Sequence, residues 1–333
     1  MSEPIKVYLD QAKWIDLLFA ATGHSRGERY VDALAAVRAA VASGLATFPL
    51  DMFRYQETAK RGNDKSRVDL ADLMFDISQK QTMAHPRQIL PMEIDEALHR
   101  QFGRPGFPRQ VKVFGVGIEH ITAGKVAPPT FDLSALPSNT RITTEAQKAE
   151  LQRILQDFAE RALARSGPAD ARRVGFDPFA ADFGGDYVAH ENKIADSLRG
   201  YGLAGDRLDI MVRASDLGGI QTAVTEALTR IGMTWEGFIA SASESFVRSF
   251  MDDLPTRHVT NVMRAAKFKS GQKWEPNDLN DILGLPVGAV YCDVVVTEKQ
   301  WVHHLRLGGI EKRHRTELLS DTAKLVDVLG RVS

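Results

Sequence analysis

Cysteine is nearly absent, with Cys292 the single example in 333 residues. One thiol excludes an internal disulfide and any zinc or iron site built from several cysteines, and it suits a reducing compartment. A dominant charge is missing too. The 42 basic and 43 acidic residues leave a formal charge of −1, so no global field marks a polyanionic partner, and any nucleic-acid contact must come from local patches. No apolar run approaches the roughly 20 residues needed to span a bilayer. The start MSEPIKVYLD has no apolar core behind a basic stretch, so no signal peptide or membrane partner is expected and the chain reads as cytoplasmic.

Familiar nucleotide signatures are also lacking. The GVG at Gly115 to Gly117 has no third glycine and reads as a turn, and Gly124 and Lys125 are followed by Val126, so there is no P-loop. No histidine has an arginine five positions before it, which excludes helical nucleases built on an R-x4-H motif. Neither an internal repeat nor a low-complexity segment is evident.

What the chain does have is a core and an alternating order. With 44% hydrophobic and 26% charged residues it can bury a large interior. The run IKVYL (5–9) reads as a buried strand ending at Asp10, and LATFPL (45–50) as a second. Apolar residues at helical spacing predict helices around Trp14 to Leu18, from Tyr30 to Val41, from Met52 to about Lys60 and over 66–79. The middle predicts helices near 93–101, 143–165, 188–200 and 218–230. Pro- and Gly-rich connections (RPGFPR, VAPPTFDLSALPSN, SGPADARRVGFDP) separate them. A helix from about Leu279, the strand VVVT (294–297), a turn carrying Trp301 and an amphipathic helix over 315–329 close the chain. The expected fold class is α/β, a central parallel sheet between helical layers, with residues 1–81 and 273–333 forming one core and a mainly helical insertion over 82–272.

Four acidic segments mark the strand ends and helix starts of that core: VYLDQ at Asp10, YQE at Glu57, NDLND at Asp278 and Asp281, and CDVVVTEK at Asp293 and Glu298. Ligands of doubly wound sheets bind outside the carboxyl ends of the strands. Carboxylates gathered there repel one another unless a cation neutralises them, and oxygen ligands suit Mg²⁺ or Mn²⁺. Each acid also has a plainer role open to it. Asp10 can cap the helix near Lys13, Glu57 can serve the dipole of its helix, and Asp278 with Asp281 can form a capping pair. One of Asp293 and Glu298 can be structural. Lys13, Lys60 and Lys299 lie close in sequence to the acids and can touch phosphates or remain solvated. Tyr55, Tyr291 and Trp301 can stack on bases or pack in the core. His303 and His304 read as a surface turn.

VYLDQAKW, the Glu on the helix after the second strand, NDLNDILGL and CDVVVTEKQW together resemble PIN-like nucleases over residues 5–60 and 275–303. The resemblance implies a PIN-like three-layer fold and Mg²⁺- or Mn²⁺-dependent hydrolysis of phosphodiesters. RNA, in single-stranded regions, is favoured over DNA as the substrate, often in toxins or defence effectors. It implies that Asp10, Glu57, Asp278 or Asp281, and Asp293 or Glu298 hold the metal. Glu298 stands where the family commonly has Asp, which leaves open a PIN-like protein that binds nucleic acid or regulates without cleaving. A small-molecule phosphatase would need a D-x-D nucleophile, and Ala12 occupies that position. The insertion is expected to gate the site, select substrates or form a homo-oligomer interface, and an inhibitory partner protein fits the toxin reading.

Overall fold

The order of strands and helices follows the apolar pattern closely over the first 80 residues of the chain. A computed structural model describes residues 3–125, 130–133, 144–173, 183–240 and 242–331. The strands are β1 (Ile5–Leu9), β2 (Ala46–Thr47), β3 (Gln81–Met83), β4 (Phe114–Val116), β5 (Val294–Val296) and β6 (Glu317–Leu319). The first half carries α1 (Gln11–Ala21), α2 (Val31–Ala42), α3 (Met52–Ala59) and α4 (Asp64–Ser78). The middle begins with α5 (Pro86–Phe102), α6 (Gly117–Ile121), α7 (Glu145–Arg165), α8 (Pro168–Arg173) and α9 (Phe183–Gly200). It continues through α10 (Gly205–Gly219), α11 (Gln221–Arg230), α12 (Trp235–Ala240), α13 (Glu244–Asp252) and α14 (Pro255–Ser270). The last part holds α15 (Asp278–Tyr291), α16 (Lys299–Leu307), α17 (Ile310–His314) and α18 (Leu325–Gly330).

β2, β1, β5 and β6 pair in that order, all parallel, and β3 pairs antiparallel with β4 in a separate ribbon. Successive side chains of a strand face opposite layers. Val7, Leu9, Val294, Val296 and Leu319 therefore join one core with α1, α2, α4 and α18. Tyr8, Val295 and Leu318 join a second with α5, α14, α15 and α16. A third apolar cluster, around Phe238 and Phe250, is tied to the second through α5: Ile89 and Met92 pack in one, Ile94 and Leu98 in the other. Cys292 is buried, its thiol 3.7 Å from Met83 Sδ. No helix among the described residues is long and apolar enough to cross a membrane.

Several expected elements differ. The second strand is shorter than 45–50, with Leu50 forming only a lone bridge to Thr82. The Gly115 turn is instead strand β4, and β3 straddles the expected boundary at 81/82. The helix expected over 218–230 is α11, and an unexpected helix, α10, precedes it and ends at Gly219, with Ile220 between the two. α8 forms inside the expected SGPADARR loop. Most of VAPPTFDLSALPSN and the residues from Val174 to Pro178 lie outside the described residues. Trp301, His303 and His304 sit on helix α16 rather than in a turn. The closing helix over 315–329 is replaced by β6, a 3-10 turn and α18. Leu318 and Leu319 serve opposite cores, and adjacent apolar residues of this kind fit a helix or a buried strand equally in sequence.

One buried carboxylate ties three helices together. Glu93 of α5 is 0% exposed and accepts from Thr256 N–H at 3.1 Å, Thr256 Oγ1 at 2.7 Å and Tyr291 OH at 3.0 Å. Burial pushes its carboxyl up to about 7. The folded state thus holds a proton that the unfolded chain releases near pH 4.5, so Glu93 favours folding at low pH and loses that contribution as pH rises through 7. The swing is roughly 3 kcal/mol at 1.36 kcal/mol per unit. Urea unfolding at pH 5 and pH 8 should show Glu93→Gln gaining on the wild type by about that amount at the higher pH. An equal difference at both pH values would refute the assignment.

Candidate active site

Two strand ends and two helices build an acidic centre at the carboxyl edge of the parallel sheet. Asp10 follows β1 directly, is 4% exposed and donates its N–H to Val296 O of β5 at 3.1 Å. Its Oδ1 accepts from Lys13 N–H at 3.1 Å, so it caps α1 as well. Asp51 follows the lone bridge of Leu50, a few residues beyond β2, and caps α3, accepting from Arg54 N–H at 2.9 Å. Tyr8 OH donates to the other Asp51 oxygen at 2.8 Å.

α3 then contributes Arg54 and Glu57, one turn apart. Arg54 is 1% exposed; its Nη2 lies 3.1 Å from Glu57 Oε2 and its Nε 3.7 Å from Asp51 Oδ1. α15 supplies Asn280, which donates to Glu57 Oε1 at 3.1 Å, and Asp281, which accepts from Trp301 Nε1 at 2.9 Å. Two glycines let α15 approach so closely. A Cβ at Gly284 would lie 2.8 Å from Asp51 Oδ2 and 2.9 Å from Tyr8 Oη, and one at Gly288 would lie 2.7 Å from Tyr8 Cγ.

Four carboxylates share one guanidinium here. Burial raises the proton affinity of Glu57, Arg54 opposes the rise, and Asp51 and Asp10 add to it. Asp281 is pushed up to about 7, again chiefly by burial, with Arg54 opposing and Asp10 and Glu57 contributing. Burial works against the charge of Arg54, but Tyr8, Asp51, Glu57 and Asp10 more than offset it, and its pKa is raised. The excess is therefore negative, and a further cation would relieve it.

The other expected ligands lie elsewhere. Asp293 precedes β5 and so falls at the amino edge of the sheet, where its Oδ2 accepts from Lys6 N–H at 2.7 Å. A residue on the amino side of a strand parallel to β1 cannot share an edge with Asp10. Asp278 is buried in an ion pair with Lys267. Glu298 follows β5 at the carboxyl edge but is exposed, with Gln300 Nε2 3.2 Å from its Oε2. Lys13 Nζ is 3.1 Å from Ser320 O and 4.0 Å from Asp16, a tie between α1 and the end of β6. Lys60 and Lys299 are exposed. Trp301 is 1% exposed and offers no face to a base.

Sequence reasoning missed Asp51, Arg54, Asn280 and Tyr8. Asp51 carried the same signal as Asp10, an acid directly after an apolar run that ends a strand. Arg54 carried none.

Hard oxygen donors of this kind suit Mg²⁺ or Mn²⁺. Gln11 Oε1, Glu57 Oε2 and Thr297 Oγ1 are buried at the same edge without hydrogen bonds, which fits an additional cation or its water. Among the described residues, no three His, Cys, Asp or Glu side chains converge as a metal cage. Beside the centre, a cleft of about 500 Å³ lies between α3, α5, α14 and α15, its polar wall formed by Gln56, His85, Arg87, Arg257 and Asn280. A larger cavity, about 660 Å³, is lined from α9, α10 and α14 and takes no wall from α3 or α15. No family model matches the chain, and no curated protein or solved structure matches it.

Proposed function

We propose that this protein is a PIN-like, Mg²⁺- or Mn²⁺-dependent endonuclease that cleaves single-stranded RNA. The observation that carries the proposal is the meeting of Asp10, Asp51, Glu57 and Asp281 at one sheet edge with more negative charge than Arg54 balances. Asp10, Glu57 and Asp281 would hold the cation. A bound divalent ion supplies an acidified water and a counter-charge for the leaving oxygen.

The chain's own groups do the positioning. Asn280 fixes the orientation of Glu57, and the Trp301 indole fixes Asp281. Burial and its acidic neighbours push the Asp281 carboxyl up to about 7, and a bound cation would lower it and hold it ionised as a ligand. Arg87 is exposed on the cleft wall and suits a flanking phosphate. His85 beside it accepts from Arg87 N–H at 3.1 Å through Nδ1, which leaves Nε2 to carry the proton of the neutral ring. The cleft of about 500 Å³ beside the centre has room for an unpaired nucleotide, which suits a single-stranded substrate.

One observation favours a second reading, a PIN-like nucleic-acid-binding protein without activity: Arg54 already places a cation among the carboxylates. The two are separated by incubating wild-type protein with labelled single-stranded RNA, the same RNA as duplex, and single-stranded DNA, in Mn²⁺ and in EDTA. Internal cleavage of the single-stranded RNA in Mn²⁺ alone is expected. Binding without cleavage, from folded protein in either Mn²⁺ or Mg²⁺, would transfer the assignment to the second reading.

A further inference from the structure

A fully buried arginine ordinarily spends its five N–H donors on well-aligned acceptors, most often in a bidentate fork to a carboxylate. Arg54 does not. Its Nε and Nη2 are buried without a hydrogen bond, although Glu57 Oε2 is 3.1 Å and Asp51 Oδ1 3.7 Å away, and Glu57 Oε2 likewise accepts no aligned hydrogen bond. The guanidinium lies 6.0 Å from the Tyr8 ring centroid, and Tyr8 OH is turned away to Asp51 Oδ2. Charge, not hydrogen-bond geometry, keeps Arg54 there. The nearby orphan oxygens, Gln11 Oε1 and Thr297 Oγ1, are not used by it either.

We infer that Arg54 is the resident counter-ion of the acidic centre, and that a divalent cation binds among Asp10, Glu57 and Asp281 in competition with its guanidinium. Competition of this kind rests on the metal-binding part of the nuclease reading of the same site and not on cleavage. Arg54 holds the carboxylates together while no ion is bound, which explains how the chain folds around them. It also lowers the affinity of the empty centre for metal, because each contact it makes with Glu57 must be given up when an ion takes that oxygen. Arg54 is thus a positioning residue that sets metal affinity.

The test is Mn²⁺ titration by calorimetry, without RNA, on the wild type, Arg54→Gln and Arg54→Lys. Glutamine removes the competing charge and should bind Mn²⁺ at least about tenfold more tightly than the wild type, a change equal to about 1.4 kcal/mol. Lysine keeps the charge and should stay within about threefold of the wild type, a difference below about 0.7 kcal/mol. Should Arg54→Gln be unfolded in EDTA, millimolar Mn²⁺ is expected to restore its folding, since the ion then replaces the missing cation. Mn²⁺ affinity in Arg54→Gln equal to or weaker than wild type, or an unfolded variant that Mn²⁺ does not rescue, would overturn the inference. Because no RNA is present, a wild type that binds Mn²⁺ but fails to cleave defeats only the nuclease reading, and cleavage without competition defeats only the role of Arg54.

Discussion

Asp10→Asn is expected to reduce Mn²⁺-dependent cleavage of single-stranded RNA by about a hundredfold or more, the scale on which removal of one charge-stabilising group acts. Stability should be unchanged or raised. Asp10 has two jobs, capping α1 through Oδ1 and contributing charge to the acidic centre. Asparagine caps a helix as well as aspartate does, so the bond to Lys13 N–H survives. Only the charge is lost, and its loss relieves repulsion with Glu57 and Asp281. Parallel measurement of the cleavage rate and of the urea midpoint separates the two jobs. Full activity in a stable variant would show that Asp10 is a cap and nothing more.

Lys267→Met is expected to destabilise the protein by about 3–5 kcal/mol, the usual cost of stranding one partner of a buried ion pair. Lys267 and Asp278 are 5% and 6% exposed, and Lys267 Nζ also lies 4.9 Å from the Trp274 ring centroid and 5.8 Å from that of Trp301. Without the ammonium, Asp278 has no compensating charge and must be buried neutral or force the start of α15 open. The double variant Lys267→Met, Asp278→Leu should recover most of the loss, since an apolar pair of similar volume is often neutral. Urea unfolding of the single and double variants is the check. A neutral Lys267→Met together with an Asp278→Asn that is stable but inactive would return Asp278 to the metal site.

These two residues also show where the sequence was legible. Asp10 could be read because a charged residue directly after a buried strand needs a partner, and the structure puts it against β5 and the acidic helices. Asp51 obeys the same rule directly after LATFPL. Asp278 and Asp281 are three residues apart on one helix, so both lie on nearly the same face and local pattern cannot separate them. A lysine from α14 separates them by claiming Asp278, a contact made only in three dimensions. Asp293 was misplaced because proximity to a strand was counted without its direction; in a parallel sheet only the residue after the strand reaches the edge shared with Asp10. Arg54 gave no sign, since an arginine on a short amphipathic helix normally reads as surface. The burial of β1 and β5 was visible in IKVYL and VVVT, whereas β6, with only Leu318 and Leu319 apolar, was not.

The most direct measurement is anomalous diffraction at the manganese edge from crystals of the wild-type protein grown with Mn²⁺ and a non-cleavable single-stranded RNA. A manganese peak within bonding distance of Asp10 and of Glu57 or Asp281, with a phosphate of the RNA on the same ion, is the predicted result. RNA bound with no manganese at that edge, or with manganese at Asp278 or Asp293, would contradict the account.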